Sequence, residues 1–175
     1  DDNILSLNTN VIKLSPSVSK EYQYLCNYIT NNYNNSNIFI INDGSEQLTK
    51  MSKNIYDIIN NLKKTSNANI YLNQPITLNN ISKINEIMDI SKENIFISLI
   101  KGEAQINNYL RILSNLSDKY DISVFGMKEW NNVEENIDYN YLKNIKLYLF
   151  SYFFIDYQSE RVISFVEAYR QKYYA

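Results

Sequence analysis

The chain contains no histidine. That removes the Ser-His-Asp and Cys-His arrangements of nucleophilic catalysis and the usual zinc ligand sets together. A metal site would have to be built from carboxylates alone. There is one cysteine, Cys26, so no disulfide can form within the chain. Cys26 falls on the apolar side of a predicted helix and reads as a core residue, because a free thiol packs as a small hydrophobe. The three glycines, Gly44, Gly102 and Gly126, lie too far apart to supply a GxGxxG phosphate cradle, and neither GxxxxGK[ST] nor GxSxG is present. A phospho-acceptor receiver would need an acidic pair after its first strand, where this chain has Ser-Pro-Ser. No window approaches the roughly 20 apolar residues of a membrane span. The densest run, "LYLFSYFFI" (147–155), has only the length of a strand. "DDNILSLNTN" has neither the basic start nor the apolar block of a signal peptide. The net charge is -2 and the basic residues are scattered, which offers nothing to nucleic acid or to an anionic membrane surface.

What remains is a chain of 175 residues, 45% hydrophobic, long enough for one domain with a real core. Apolar runs of strand length alternate with stripes at helical spacing. The predicted strands are 10–14, 37–42, 69–72, 94–100, 122–126 and 147–155. The first helix carries Val18, Tyr22, Leu25, Cys26, Ile29 and Tyr33 on one side. The second carries Leu48, Met51, Ile55, Ile58, Ile59 and Leu62, with Ser45 as its N-cap. Ile81, Ile84, Ile87 and Met88 predict a third, capped by Thr77 or Asn79. Ile106, Tyr109, Leu110, Leu113, Leu116 and Tyr120 predict a fourth. A weak helix over 137–144 and a last one through Val162, Phe165, Val166, Tyr169 and Tyr173 complete the series. Unbroken apolar strands between helices mark a parallel sheet covered on both faces. The fold class is therefore α/β: a doubly wound, Rossmann-like or flavodoxin-like sheet of about six strands. There is no internal repeat and no linker. Residues 1–18 read as a tail or crossing segment, and 19–175 as a single α/β unit.

In open parallel sheets, ligands bind beyond the carboxyl ends of the strands, where helix N-termini also point. That edge collects Ser15, Ser17 and Ser19, then Asp43, Gly44 and Ser45, then Asn73 and Gln74. It also collects Lys101, Gly102 and Glu103, then Lys128, Glu129 and Trp130, and finally Asp156, Tyr157 and Ser159. The serines serve as N-caps and Asp43-Gly44 as a turn in any such fold. Gly102 and Gly126 read as turn residues where strand gives way to helix. Asp43 and Glu103 are an acid/base pair only if the fold brings them together, and their spacing does not single them out. The stretch "SVFGMKEW" (123–130) is the most pointed: a lone Trp, an acid and a base follow directly on a buried strand.

"VIKLSPSVS", "NIFIIND" and then "ISVFGMKEW … LYLFSYFFIDYQSERVISFVEAYRQKYY" resemble the type I periplasmic binding-protein superfamily. The amino-acid (Leu/Ile/Val-binding) branch is the nearest in look, and within it envelope proteins that carry LysM peptidoglycan-binding repeats. The order F-G-M-x-E-W, S-x-F-x-I-D-Y, F-V-x-x-Y-R-x-x-Y carries the resemblance from about residue 10 onward. It implies mainly the second of two lobes around a cleft, with the first lobe belonging to a longer parent. It implies a periplasmic or cell-envelope setting, no enzyme activity and no cofactor. The ligand-binding residues it implies are Ser15, Ser17, Asp43, Lys101, Glu103, Lys128, Glu129 and Trp130. The expected partner is a small polar ligand, or in the alternative a peptidoglycan-associated one held by an envelope scaffold module that has lost ligand binding. A lobe without its mate would also bare an apolar face, which predicts a homodimer. A zwitterion site requires an acid and a donor converging on one pocket, and that requirement discriminates the two readings.

Overall fold

The computed structural model describes residues 18–65, 69–132, 136–149 and 158–173. The expected strand at 10–14, the expected ligand residues Ser15 and Ser17, and Asp156 and Tyr157 lie outside these residues. In chain order the elements are α1 (Val18–Asn32), β1 (Asn35–Asn42), α2 (Glu46–Thr65), β2 (Asn69–Leu72) and β3 (Ile76–Thr77). A 3-10 helix (Leu78–Glu86), β4 (Glu93–Leu99), α3 (Glu103–Ser114) and β5 (Ile122–Gly126) follow. Short 3-10 turns at Lys128–Asn132 and Tyr139–Leu142, β6 (Ile145–Leu149) and α4 (Glu160–Tyr173) complete them.

All described strand pairs are parallel, in the order β2-β1-β4-β5-β6, with β3 also on β1. β2 meets β1 at Asn35 to Ile38 and β3 meets it at Ile41 and Asn42. They are two halves of one edge strand, interrupted at Asn73-Gln74-Pro75. Pro75 cannot donate to a ladder, and this interruption is where a proline is tolerated. The chain leaves β1 toward β2 and later crosses back to β4, so the topological switch point lies between β1 and β4.

Both faces of the sheet are covered. Phe125 meets Tyr28 and Tyr33 of the α1 segment edge-on, at 6.3 and 5.9 Å. The next residue, Gly126, turns to the opposite face with its partner Ser98, whose hydroxyl bonds Tyr109 of α3 at 2.7 Å. α1 and α3 therefore lie on opposite sides, and α2 packs beside α1. The core is built from the predicted stripes: Leu25, Cys26 and Ile29 of α1, Leu48, Ile55 and Ile59 of α2, and Ile106, Leu110 and Leu113 of α3 are buried against the strands. Phe39 and Phe96 stack at 4.8 Å between β1 and β4.

Two elements depart from expectation. Residues 78–86 form a 3-10 helix rather than an α-helix. The reason is visible in the sequence: Leu78, Ile81, Ile84 and Ile87 recur every three residues, the period of a 3-10 helix. Thr77 occupies the N-cap position without a side-chain cap bond, its hydroxyl accepting instead from Asn80 at 3.1 Å. The weak helix expected over 137–144 is a single 3-10 turn, capped by Asp138. Among the described residues, no helix is long and apolar enough to cross a membrane.

Candidate functional site

The local chain at the carboxyl ends of β1 and β4 is set by left-handed glycines. Asn42 accepts from the Gly44 N–H at 2.9 Å and Asp43 from the Ser45 N–H at 2.8 Å. Gly44 sits at φ 89°, where a side chain would be strained. Ser45 then caps α2 through the Leu48 N–H at 3.4 Å. Gly102, at φ 85°, makes the same kind of turn into α3. Ser159 caps α4 at Val162. Ser19 lies inside the first turn of α1 rather than at its cap.

Between these turns lies a cleft of about 420 Å³. Its walls come from the first turns of α1 and α2 and from the ends of β4 and β5. Lys101 enters from the end of β4, and Lys128 and Glu129 from the turn after β5. Glu21, Tyr22 and Gln47 enter from the helices. Val18, Leu25, Met51, Phe125 and Met127 supply the apolar lining. The segments leaving β1 and β4 in opposite directions both contribute, as a switch-point site requires. Lys101 and Glu129 form no ion pair with any described residue. The Tyr22 phenol is pushed well above its ordinary range, first by burial and then by the charges of Glu129 and Glu21. It therefore stays protonated at neutral pH and offers an O–H donor beside two carboxylates.

Three of the expected ligand residues thus meet in one cleft: Lys101, Lys128 and Glu129. Three others do not line it. Asp43 is engaged in the turn before α2. Glu103 lies in the first turn of α3, where its Oε2 accepts from Asn136 at 3.2 Å. The two acids are thus held in separate local turns, and neither faces the cleft. Trp130 is fully buried at 0% exposure. Its ring stands edge-on to Tyr109 at 6.3 Å, and its Nε1–H donates to the Ile100 carbonyl at 2.8 Å. Trp130 packs in the core and acts on the cleft indirectly. The indole ties the end of β4, one residue before Lys101, to the turn that carries Lys128 and Glu129. Gly126 is here for room rather than for turning: a Cβ on it would stand 2.6 Å from the Trp130 ring.

Sequence reasoning missed Glu21, Tyr22 and Gln47. Tyr22 sits on the apolar stripe of α1 and was assigned to the core. Glu21 and Gln47 belong to helix first turns, where acids and amides are ordinary. The signal for them was positional: they lie in the first turns of two helices whose N-termini share the carboxyl edge of the sheet. In comparison with known proteins, the chain matches no family model, no curated protein and no solved structure.

Proposed function

We propose that this domain is a non-enzymatic binding lobe. It holds a small zwitterionic, amino-acid-like ligand in the cleft at the ends of β4 and β5. The observation that carries this reading is the convergence of opposite charges: Lys101 and Lys128 stand in one apolar-walled cleft with Glu21 and Glu129. A ligand carboxylate is matched by the lysines and a ligand ammonium by the glutamates. The protonated Tyr22 adds a donor. The groups suit recognition by charge and hydrogen bond in an apolar-lined cleft. A cleft at the carboxyl edge of one lobe suits closure by a second lobe of the same kind. This keeps the likeness to type I periplasmic binding proteins, and with it an envelope setting, as part of the proposal.

The test is a thermal-shift and calorimetric screen against the common amino acids. A ligand at 100 times its Kd stabilises the fold by about 2.7 kcal/mol. The reading expects at least one such hit, weakened about tenfold or more by Lys101→Ala, since a hydrogen bond to a charged group contributes about 1.5–3 kcal/mol. A flat response across the panel overturns it.

A second reading, an envelope interaction module, is favoured by α4. Its 14 residues bury no side chain, and Phe165 is 68% exposed beside Tyr169 and Tyr173. That reading expects self-association through α4. Sedimentation of Phe165→Ser/Tyr169→Ser against the parent sequence decides it: a monomer in both removes it.

A further inference from the structure

A second hollow, of about 300 Å³, lies beside the charged cleft on the α1 side of the sheet. Its lining is Tyr24, Leu25, Tyr28, Phe125, Tyr148 and Leu149. Leu25 and Phe125 line both hollows, so the two adjoin across these side chains. Their chemistry differs sharply. The cleft carries charges of both signs, whereas among the described residues no charged group lines the second hollow. Phe125 and Tyr148 stack at 4.7 Å with their planes 10° apart, giving it a flat aromatic floor. Tyr28 stands edge-on to that floor at 6.3 Å. Tyr24, Tyr28 and Tyr148 remain 65, 48 and 37% exposed. Bare tyrosines around a stacked floor form a surface that a second aromatic ring completes by edge and offset contacts.

Each hollow alone lies toward the lower end of the roughly 300–1,000 Å³ range of ligand pockets. A single aliphatic amino acid placed by its charges in the cleft has no ring to lay on the aromatic hollow. Resting on the zwitterion reading above, we propose that the ligand class is a short peptide bearing an aromatic residue. Its carboxylate and ammonium termini sit among Lys101, Lys128 and Glu129, and its aromatic side chain crosses Leu25 and Phe125 to lie on the Phe125–Tyr148 floor. The second hollow is then the specificity subsite, and Tyr24 and Tyr28 are its walls.

The experiment is a calorimetric titration of the full chain with leucine, phenylalanine, glycyl-phenylalanine and leucyl-phenylalanine. The aromatic dipeptides are expected to bind at least tenfold tighter than either free amino acid. Tyr24→Ala and Tyr28→Ala, neither of which lines the cleft, are expected to abolish that gain and leave leucine affinity unchanged. Circular dichroism of each variant confirms that it is folded, and Tyr28→Phe retains the ring and the gain. If the amino acids bind and the dipeptides gain nothing, the peptide inference falls while the binding function stands. If the dipeptides gain but both alanine variants keep the gain, the assigned subsite falls. If none of the four binds, the inference falls with the function beneath it.

Discussion

The two ends of the parallel sheet treat polar groups in opposite ways. At the amino half, every prominent polar side chain is answered by another. Asn94 donates to the carbonyls of Asp89, Lys92 and Asp121 at 2.8, 3.0 and 3.3 Å, and accepts from the Asp89 N–H at 3.0 Å. Asn37 joins it at 3.3 Å, holds the Ile87 carbonyl at 2.9 Å, and accepts from Asn73 at 2.6 Å. On the opposite face, Glu93 accepts from Ser123 at 2.6 Å and from Lys146 at 3.1 Å, and Lys146 also reaches Asp121. At the carboxyl end, Lys101 and Glu129 stand in an open cleft with no ion pair to a described residue, approached by two left-handed glycine turns. A closed network fixes the fold and leaves nothing for a ligand. An open set of charges contributes little to the fold and keeps its hydrogen bonds for whatever arrives. The difference separates the end that stabilises from the end that binds.

Trp130 breaks that division, and its loss is the largest expected effect. It lies at the binding end but is packed like a residue of the stabilising one. Trp130→Ala removes the largest fully buried side chain and orphans the Ile100 carbonyl. We expect a loss of about 3–5 kcal/mol, read as the shift in urea midpoint. Gly126→Ala attacks the same contact from the other side, because the new Cβ meets ring and Leu149 carbons at 2.6–2.9 Å. Overpacking of this kind costs about 1–3 kcal/mol. Stability unchanged in both variants would mean that Trp130 is not the tie between the ends of β4 and β5.

At the amino half, Asn94→Ala takes the side-chain partner from the Asp89 N–H and from the Asp89 and Lys92 carbonyls in a part-buried setting, while the Asp121 carbonyl keeps the Asn94 N–H. An unsatisfied buried group costs about 1–3 kcal/mol, so a loss of about 2–3 kcal/mol is expected in the same denaturation assay. Ligand affinity should be unaffected, since the network lies at the far end from the cleft. A variant that keeps full stability would show that the asparagine network is decorative, and the comparison between the two ends would collapse.

Much of this was legible beforehand because strands buried on both faces have to be continuous apolar runs. The runs at 37–42, 69–72 and 94–100 predicted β1, β2 and β4 to within two residues at either end, and "ISVFG" coincides with β5. What failed was finer. A two-residue strand after Pro75 has too little length to show a period. Ile81, Ile84 and Ile87 read as an α-helical stripe although their interval is three. The strand-end loops were correctly placed at the site, but a sequence does not reveal which way a side chain leaves its loop. Lys128 and Glu129 turn to the cleft, and Trp130, one residue on, turns into the core. Ser15 and Ser17 fall outside the described residues.

The interior of α1, between the two ends, offers a pH test. Burial pushes the Cys26 thiol from an ordinary 9.0 up to about 12. A raised pKa means that the folded state favours the protonated thiol. Its contribution is complete below pH 9 and is lost as pH climbs toward 12. Between pH 8 and 10.5 the stability should fall by about 1–2 kcal/mol from this group. Cys26→Ala should flatten that part of the profile. The half-buried Tyr22 and buried Tyr109 phenols are also raised by burial and add to the same alkaline limb at higher pH. A profile identical in the two proteins between pH 8 and 10.5 would mean that the thiol ionises within the fold.

The smallest expected effect is the most telling for the comparison. Lys101→Ala and Glu129→Gln each remove a charge that no described residue balances. Exposed groups of this kind change stability by no more than about 0.5 kcal/mol. Removing Glu129 also takes away the largest charge effect opposing ionisation of Tyr22, so the phenol should titrate at lower pH in Glu129→Gln than in the parent. Ultraviolet difference spectroscopy toward the alkaline limit of the folded state follows the onset of this ionisation, with Tyr22→Phe identifying the band. Should either variant lose more than about 1 kcal/mol, the cleft charges would be structural members, and the sheet would have two stabilising ends instead of one. If stability holds while the Tyr22 band moves, Glu129 and Tyr22 share one electrostatic environment inside an open cleft, which is the condition for a ligand to feel both at once.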